Sequence, residues 1–340
     1  MVLRKRPARP AAQRCSQGYD GPVARAIVVG VVGDSGAGKT TVTRGLARVL
    51  GEGRVASLSA DDYHRYDRRQ RAELDLTPLH PRANHLDILG QHLAHLRDGE
   101  AVLKPVYSHR DGSFHPPDYL RPAPFLVVEG LLNFHTEPLR DVHDVRVMLT
   151  PPEALRRAWK VKRDCTRRGY TTSEVLAELD RRQGDAEAFV HPQRAHADIV
   201  VSFVPNSLED PTRLDADLIL RDTLPHPDLS PLLAGQGPGP ALIKREREWL
   251  LRIPGDLDPE HAMALEEAVW ERMSFARHLR TGRLGEFTVG TDLLRSDSLA
   301  LVQLLILHQA VTAGAAAATG VPARTTTSPH TGADSALHLD

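Results

Sequence analysis

The sequence predicts an α/β fold in which a mainly parallel sheet is covered by helices, followed by a C-terminal extension of further strands and helices. Short apolar runs alternate with helix-like segments between residues 26 and 204, which is the pattern of repeated β/α units. A glycine-rich loop joins the first apolar run to the first helix-like segment. At Pro205 the alternation stops and a polar stretch begins, so we expect a boundary there.

The alternation assigns each element of the first part of the chain. Apolar runs of strand length and amphipathic runs of helix length follow one another. The candidate strands are residues 26–32, 54–59, 125–129, 144–149 and 199–204, and the candidate helices are residues 39–50, 86–98, 152–167 and 173–183. Because strands separated by helices pair in parallel, these elements predict helices on both faces of one sheet.

The second part of the chain has its own pattern. Leu214–Arg221 and Leu242–Ile253 read as strands separated by a Pro/Gly-rich loop at 224–240. Asp258 and Pro259 form an N-cap followed by proline at the first helical position, which predicts a helix to about Met273. Residues 296–313 form a second, mostly apolar helix, which we expect to be buried or at a subunit contact.

These boundaries divide the chain into four predicted parts. Residues 1–24 are expected to be a disordered basic tail, and residues 314–340, rich in Ala, Thr and Ser, a second disordered tail. Between them we predict a core with a lid at residues 25–205 and a strand and helix extension at residues 206–313.

The composition narrows the class of protein. The 340 residues carry a formal net charge of −1, so bulk charge favours neither nucleic acid nor a membrane surface as a partner. The N-terminus lacks the apolar segment of a secretory signal, and no run of about 18 apolar residues predicts a membrane span. Two cysteines, Cys15 and Cys165, cannot form a disulfide framework. We therefore expect a cytoplasmic protein.

Residues 33–41 read GDSGAGKTT and complete the phosphate-loop pattern G-x-x-x-x-G-K-[ST]. The pattern follows a predicted strand and opens a predicted helix, which is the context that a phosphate site requires. A glycine-rich turn before an ordinary helix is the alternative, and the complete pattern argues against it. Lys39 is expected to reach the β- and γ-phosphates of ATP and Thr40 to bind Mg²⁺. The predicted nucleotide-binding residues are Gly33, Asp34, Ser35, Gly36, Ala37, Gly38, Lys39, Thr40 and Thr41.

Two acidic residues follow or end predicted strands. Asp61 comes directly after the second strand, where a carboxylate near the phosphate loop can accept a proton from an attacking hydroxyl. Glu129 ends the apolar run Phe125–Val128, so it is expected to organise Mg²⁺ together with Thr40. A turn at Asp61 and a solvated side chain at Glu129 are the alternatives.

Cationic side chains form two clusters. Lys160, Arg163 and Arg167, with Asp164, recur at i, i+3, i+4 and i+7 and share one helical face. Facing solvent they would be ordinary surface charges, whereas over an active site they would form a lid that neutralises a transferred phosphoryl group. The second cluster contains Arg65, Arg68, Arg69 and Arg71. Since arginine suits phosphate and only 5% of residues are aromatic, a phosphorylated acceptor is favoured over a nucleoside.

Six segments of the chain together resemble the phosphoribulokinases. They are Asp61–Arg68, Pro81–Asn84, Lys104–His109, Val128–Leu131, Trp159–Asp164 and His191–Gln193. The resemblance extends over roughly residues 26–312, and its Pro-Arg-Ala-Asn element is more similar to the plant and cyanobacterial branch than to the proteobacterial one. It implies a P-loop kinase core and the reaction of ATP with D-ribulose 5-phosphate to give ribulose 1,5-bisphosphate, a Calvin cycle step. A uridine or cytidine kinase and a non-catalytic ATP-binding regulator remain the alternatives.

The resemblance also implies a role for each residue. Asp61 would take the proton of the C1 hydroxyl, Glu129 would be the Mg²⁺-linked acid, and Lys39 and Lys160 would stabilise the transferred group. The sugar phosphate would be held by Arg68, Arg71, Arg163 and Arg168, helped by His64 and Tyr107. Helical spacing favours Arg167 over Arg168, but phase is unreliable beside the terminal Gly169, so we follow the resemblance.

One feature of the plant enzymes is missing from this sequence. They carry a redox-switch cysteine in the phosphate loop and another just before the catalytic acid, and Ala37 and Ser59 occupy these places here. Thiol control of that kind is therefore excluded. Cys165 lies within the predicted lid helix, and we interpret it as a bystander. The apolar C-terminal helix also favours a homodimer.

Overall fold

Eight strands form one sheet in the computed structural model, which describes residues 25–206, 213–233, 239–289 and 292–319. The strands of the chain are β1 Ile27–Gly33, β2 Val55–Ser59, β3 Val102–Ser108, β4 Ser113–Leu120, β5 Phe125–Gly130, β6 Val145–Leu149, β7 Ile199–Pro205, β8 Leu214–Arg221, β9 Ala241–Lys244, β10 Glu248–Ile253, β11 Glu286–Val289 and β12 Asp292–Arg295. The large sheet has the order β2-β5-β1-β6-β7-β8-β10-β9, while β3–β4 and β11–β12 are separate hairpins.

The large sheet has a parallel half and an antiparallel half. Strands β2, β5, β1, β6 and β7 pair in parallel, and β8, β10 and β9 continue the sheet in antiparallel pairing. The register places Val31 opposite Glu129 and Glu129 opposite Ser59. The carboxyl ends of these strands therefore meet at one edge, which is where ligands bind in open sheets of this kind.

Eight α-helices surround the sheet in the described ranges. They are α1 Lys39–Leu50, α2 Arg68–Glu73, α3 Leu86–Arg97, α4 Glu137–Val142, α5 Glu153–Arg168, α6 Thr172–Asp185, α7 Pro259–Arg272 and α8 Asp297–Ala318. Helix α7 begins as predicted, because the Asp258 side chain accepts hydrogen bonds from the amides of Glu260 and His261. Helix α5 ends at Gly169, whose φ of 75° is a conformation that glycine adopts at little cost.

Alternate residues of β1 face two different cores. Ile27, Val29 and Val31 belong to the cluster formed with α1, α7 and α8. Val28 belongs to the cluster formed with α3 and α4 on the other face. Because successive side chains of a strand point to opposite faces, a strand that is apolar throughout is buried on both sides.

The predicted α/β architecture is confirmed. Each of the five parallel strands and four helices predicted before residue 206 is present within two residues of its expected bounds. The run predicted at 242–253 forms the hairpin β9–β10. The apolar helix predicted at residues 296–313 is α8, and it is buried, which is one of the two environments that we expected. Although α8 is long and apolar enough to span a bilayer, 72% of its most apolar window is buried inside the fold.

The predicted start of the C-terminal tail needs correction, and most of the two predicted tails lies outside the residues that the structure describes. The C-terminal tail was expected from residue 314, but α8 continues to Ala318, because alanine is a strong helix former. Residues 1–24 and 320–340 lie outside the described residues.

The β3–β4 hairpin was not predicted at all, because Pro105 and two prolines in β4 conceal its strand pattern. The register shifts beside Pro105, as expected where an amide donor is missing.

Candidate active site

The phosphate loop forms the turn between β1 and α1 that its sequence predicts. Gly36 and Gly38 have φ values of 93° and 95°, which side chains with a Cβ rarely adopt. Lys39 Nζ donates hydrogen bonds to the carbonyls of Gly33 at 2.7 Å and Asp34 at 3.0 Å. Desolvation lowers the pKa of Lys39, although nearby carboxylates favour its charged form. The ammonium group is thus held inside the loop.

Glu129 lies beside the start of α1. Its carboxylate accepts a hydrogen bond from Thr40 Oγ1 at 3.1 Å and another from Thr43 Oγ1 at 3.2 Å. The predicted pair of metal-binding residues, Thr40 and Glu129, is therefore assembled. In the described ranges, no group of three or more His, Cys, Asp or Glu side chains could hold a metal ion. Any divalent ion bound here would depend on phosphate and water oxygens as well, as Mg²⁺ commonly does.

Asp61 follows β2 and faces several cationic or ionisable groups. Burial opposes ionisation of this carboxyl, but Lys39, Arg182 and, at acidic pH where they are protonated, His109 and His64 outweigh it, and the pKa of Asp61 lies below its ordinary value. His109 Nε2 is 3.7 Å from Asp61 Oδ2. The neighbouring Asp62 is occupied elsewhere, since it accepts hydrogen bonds from Lys104 Nζ and the Tyr107 amide. Asp61 is thus an ionised carboxylate that can accept a proton.

His64 is buried and electrically neutral near pH 7. Its side chain is 3% exposed, and Nδ1 is 2.7 Å from Asn84 Oδ1. Burial lowers the pKa of His64 to about 4. The ring meets the Tyr107 ring edge to face, with 4.7 Å between centroids. His64 therefore adds a polar group to the site rather than a positive charge.

The two predicted arginines of α2 differ in burial. Arg71 is buried, and it donates to the Tyr66 carbonyl at 2.5 Å and to the Tyr107 hydroxyl at 2.6 Å. Arg68 is exposed and donates to the His109 carbonyl at 2.6 Å. Arg71 thus fixes Tyr107, whereas most of the Arg68 guanidinium remains available to a ligand.

The charged groups of α5 gather around Asp164. Lys160 Nζ donates to Asp164 Oδ2 at 2.7 Å, Arg163 Nε donates to Oδ1 at 2.8 Å, and Arg168 Nε lies 3.5 Å from Oδ1. Burial lowers the pKa of Lys160 to about 8. Burial also disfavours the Asp164 carboxylate, but hydrogen bonds from Arg163 and Lys160 lower its pKa to about 2. The Arg167 side chain lies outside the described residues.

Helix α5 packs directly on the phosphate loop. Arg156 Nη1 donates to the Ser35 carbonyl at 2.9 Å, and Arg163 Nη2 donates to Ser35 Oγ at 3.3 Å. A Cβ added at Gly36 would lie 3.0 Å from the Cβ of Lys160. The cationic face of α5 is therefore turned toward the loop, with Lys160 buried and the side chains of Arg163 and Arg168 33% and 31% exposed.

Two contributors to the site were missed at the sequence level. Arg182 of α6 donates to Glu178 at 2.6 Å, and its charge bears on both Asp61 and Lys160. His191 Nε2 is 2.8 Å from Asp34 Oδ2 in the phosphate loop. An Arg and a Glu four residues apart read as an ordinary surface pair, so only the fold reveals Arg182. His191 belongs to a segment that carried the resemblance.

The fold and the loop together define a P-loop nucleotide-binding protein with charged side chains at the carboxyl edge of its sheet. The chain belongs to the phosphoribulokinase and uridine kinase family, because the model described as "Phosphoribulokinase / Uridine kinase family" matches residues 28–209, which is more than half of the chain. The match of this model ends at residue 209, well before residue 312, and spans the part of the chain that holds the candidate site.

Similar sequences include named kinases. The chain is 36% identical over 184 residues to a phosphoribulokinase of Synechocystis sp., covering 54% of this chain and 55% of that protein. It is 35% identical over 199 residues to the chloroplastic phosphoribulokinase of Arabidopsis thaliana, covering 54% and 50%. A uridine kinase of Lactococcus lactis is 28% identical over 185 residues, covering 52% and 88%. The expected similarity to the plant and cyanobacterial type is confirmed.

The match is partial for the phosphoribulokinases. The chain spans about half the length of these curated relatives. Among solved structures, a phosphoribulokinase from Rhodobacter spheroides superposes with a TM-score of 0.57 at 20% identity, covering 75% of this chain and 99% of that one. This likeness confirms the P-loop kinase fold and its extension beyond the segment matched in sequence.

Proposed function

We propose that the protein is an ATP-dependent kinase that phosphorylates the C1 hydroxyl of D-ribulose 5-phosphate. The observation that carries the proposal is the convergence of an ionised Asp61, the Thr40–Glu129 pair and the cationic face of α5 on one phosphate loop. A base, a phosphate cradle and a cluster of cations are the parts that phosphoryl transfer requires.

Asp61 acts as the general base. The carboxylate accepts the proton of the acceptor hydroxyl as its oxygen attacks the γ-phosphorus of ATP, and ADP leaves. Proton transfer to a positioned base contributes about 10²- to 10⁴-fold to rate. The pKa of Asp61 lies below its ordinary value because nearby charges, those of Lys39 and Arg182 among them, outweigh the effect of burial, so the carboxylate is ionised at neutral pH.

Lys39 and Lys160 stabilise the charge of the transferred group. Lys39 lies inside the phosphate loop, and Lys160 is held by Asp164 on the helix that covers the loop. Cations preorganised in a site that excludes water stabilise developing charge without reorganising during the reaction. The remaining phosphate-loop residues, from Gly33 to Thr41, bind the ATP phosphates through backbone amides.

Thr40 at the start of α1 and Glu129 near the end of β5 fit a bound Mg²⁺. The hydroxyl of Thr40 and the carboxylate of Glu129 are hard oxygen donors at hydrogen-bond distance from each other, which is the donor type that Mg²⁺ prefers. Bound with ATP, this ion would neutralise charge on the phosphates. Thr40 and Glu129 would hold it, and Thr43 would fix the second carboxylate oxygen.

The cations and the relatives support ribulose 5-phosphate as the acceptor. Arg168 interacts electrostatically with Asp61, and Arg163 of α5 contacts the phosphate loop. Arg68 contacts His109, which is close to Asp61. Arginine forks bind phosphate well. Relatives named phosphoribulokinase match at 28–36% identity and those named uridine kinase at 27–28%. Both the arginines and the similarity favour a phosphorylated sugar over a nucleoside.

A coupled assay of ADP release tests the proposal with three conditions: ribulose 5-phosphate, uridine and no acceptor. We expect Mg²⁺-dependent ADP release with ribulose 5-phosphate alone, and a product with the mass of ribulose 1,5-bisphosphate. Turnover with uridine alone would assign a nucleoside kinase. ATP binding without turnover on either acceptor would favour an ATP-binding regulator.

A homodimer and a cytoplasmic location are also proposed, and light scattering of the purified chain measures the oligomeric state.

A further inference from the structure

Asn84 links the loop after β2 to the turn at residues 81–83. The Arg65 amide donates to the Ala83 carbonyl at 2.8 Å, and the His85 amide donates to the Tyr63 carbonyl at 2.8 Å. These two backbone hydrogen bonds flank His64 and Asn84, which face each other as an isolated antiparallel bridge. The two side chains are therefore held opposite one another by the backbone as well as by their own contact.

The Asn84 amide can have one orientation only. Asn84 Nδ2 is 3.0 Å from the Pro78 carbonyl and 3.0 Å from the His80 carbonyl. Two carbonyl oxygens accept hydrogen bonds and cannot donate them, so the NH₂ group must face them. The Oδ1 atom then faces His64, at 2.7 Å from Nδ1.

The orientation of the amide decides the tautomer of His64. An amide oxygen is an acceptor only, so the imidazole atom that contacts it must carry the proton. In a neutral ring, a proton on Nδ1 leaves a lone pair on Nε2. Among the residues that the structure describes, Asn84 is the only hydrogen-bond partner of the His64 ring.

We infer that Asn84 is a positioning residue that fixes His64 as an Nδ1–H imidazole, whose Nε2 accepts a hydrogen bond from a hydroxyl of the sugar phosphate. The inference rests on the proposed function and assigns His64 to the sugar hydroxyls rather than to the phosphate. His64 is 3% exposed, and its ring is close enough to Asp61 for the two groups to interact electrostatically, so a sugar whose terminal hydroxyl reaches Asp61 also passes His64.

The charged groups around His64 are compatible with a neutral ring. Burial is the main cause of its low pKa, and Arg71 and His109 add to it, while Asp61 and the Asn84 hydrogen bond oppose it. Tyr107 packs on the ring. A protonated His64 would lose its lone pair and place a second cation beside Arg71, so the acceptor role requires the neutral form.

The first experiment measures the tautomer directly in the full chain. Long-range ¹H–¹⁵N spectra of ¹⁵N-histidine-labelled protein distinguish the two neutral tautomers, and His64→Gln assigns the His64 signal by its loss. We expect an Nδ1–H tautomer that stays neutral from pH 8 down to about pH 5, in line with the pKa of about 4. An Nε2–H tautomer would overturn the inference whether or not the protein phosphorylates ribulose 5-phosphate.

The second experiment separates hydroxyl recognition from phosphate recognition. His64→Ala should raise the Kd of ribulose 5-phosphate about 3- to 10-fold, the range of one hydrogen bond between neutral groups, and leave that of inorganic phosphate unchanged. His64→Gln, whose amide oxygen can also accept, should retain most of the affinity. Arg68→Ala should weaken both ligands, and His95→Gln, at an exposed position of α3, neither. Equal weakening of both ligands by His64→Ala would contradict the inference.

Asn84→Asp supplies a test that a merely structural role would not pass. A carboxylate facing Nδ1 stabilises the imidazolium and raises the pKa of His64. The Kd of ribulose 5-phosphate in the variant should therefore rise as pH falls from 8 to 6, more steeply than in the wild type, and adding His64→Gln should remove the difference. If the variant binds more weakly by the same factor at every pH, Asn84 is structural only. Since the introduced carboxylate cannot donate to the two carbonyls, thermal unfolding accompanies these measurements.

Discussion

The parallel half of the sheet and its antiparallel extension place different chemistry at their ends. The parallel strands end in the phosphate loop, Asp61 and Glu129. The antiparallel strands carry structural ion pairs, such as Arg252 with Asp217 at 2.7 Å, and none of the proposed site residues lies beyond residue 205. The comparison separates the part of the molecule that holds the candidate site from the part that supports it.

The extension supports α1, the helix that follows the phosphate loop, mainly through α8. Gln303 is fully buried, receives a hydrogen bond from the Gly285 amide at 2.9 Å and lies 3.5 Å from the Thr41 carbonyl. A Cβ added at Gly45 of α1 would be only 2.0 Å from Gln303 Nε2. Arg48 of α1 pairs with Glu286 of β11 at 2.8 Å. The helix that presents Lys39 and Thr40 is therefore braced by the extension.

Substitutions can test this difference between the two halves of the sheet. Changes in the parallel half should alter kinetics and leave stability nearly constant, while changes at the contact between α1 and α8 should alter stability first.

Asp61→Asn should have the largest effect on turnover. Asparagine keeps the size of the side chain but cannot accept the hydroxyl proton, so kcat should fall about 10²- to 10⁴-fold while the Kd of ATP stays within a few fold. Steady-state assays and nucleotide titration measure the two quantities. Asp98→Asn, at the exposed end of α3, is the matched control and should behave as wild type. Normal turnover of Asp61→Asn would remove the base assignment.

Arg68→Ala should act on the sugar phosphate rather than on ATP. The lost charge-assisted hydrogen bonds correspond to a KM for ribulose 5-phosphate that rises about 10- to 100-fold, with a small change for ATP. Arg69→Ala is the control on the same helix, because Arg69 is exposed and its side chain pairs with Glu73 on that helix. An equal rise in both KM values would argue against a phosphate clamp. An unchanged melting temperature would show that Arg68 affects kinetics and not the stability of the fold.

Most of the parallel half could be predicted from the sequence. Apolar runs of strand length and the complete phosphate-loop pattern are local signals, so β1, α1 and the Lys39–Thr40 pair were identified without tertiary information. The position of Asp61 followed from a general rule about the carboxyl ends of strands. The structure confirms that these residues converge, while their catalytic roles stay predictions.

The remaining site residues depend on contacts between distant segments. Arg182 approaches Asp61 only because α6 packs on α5, and the pairing of Gln303 with Gly45 joins residues 258 positions apart in the chain. The burial of His64, which makes it neutral, also has no local signal. The β3–β4 hairpin, which carries Tyr107, was missed because its prolines disguise the strands. Burial and charge at these positions are properties of the fold.

Gly45→Ala tests the supporting role of the extension. Alanine favours a helix by about 1 kcal/mol over glycine, but its Cβ would collide with the buried Gln303 amide, and such overpacking costs about 1–3 kcal/mol. We expect a net loss of up to roughly 2 kcal/mol in the free energy of unfolding, measured by urea titration. Gly184→Ala in α6 is the matched control, because no atom lies within 4 Å of its added Cβ. Its free energy of unfolding should rise by up to about 1 kcal/mol. Equal rises in both variants would contradict the supporting role of the extension.

Lys160→Arg should have the smallest effect at neutral pH and a distinct effect on the pH profile. Burial lowers the pKa of Lys160 to about 8, so its charge is present below pH 8 and is lost as the pH rises through that value. If this charge stabilises the transferred group, kcat should decline above about pH 8 in the wild type. Arginine stays charged across this range, so the variant should lose a few fold at pH 7 yet show no decline up to about pH 9.5. Lys162→Arg, at an exposed position of the same helix, should retain the wild-type profile, and an alkaline decline that persists in Lys160→Arg would assign the titration to another group.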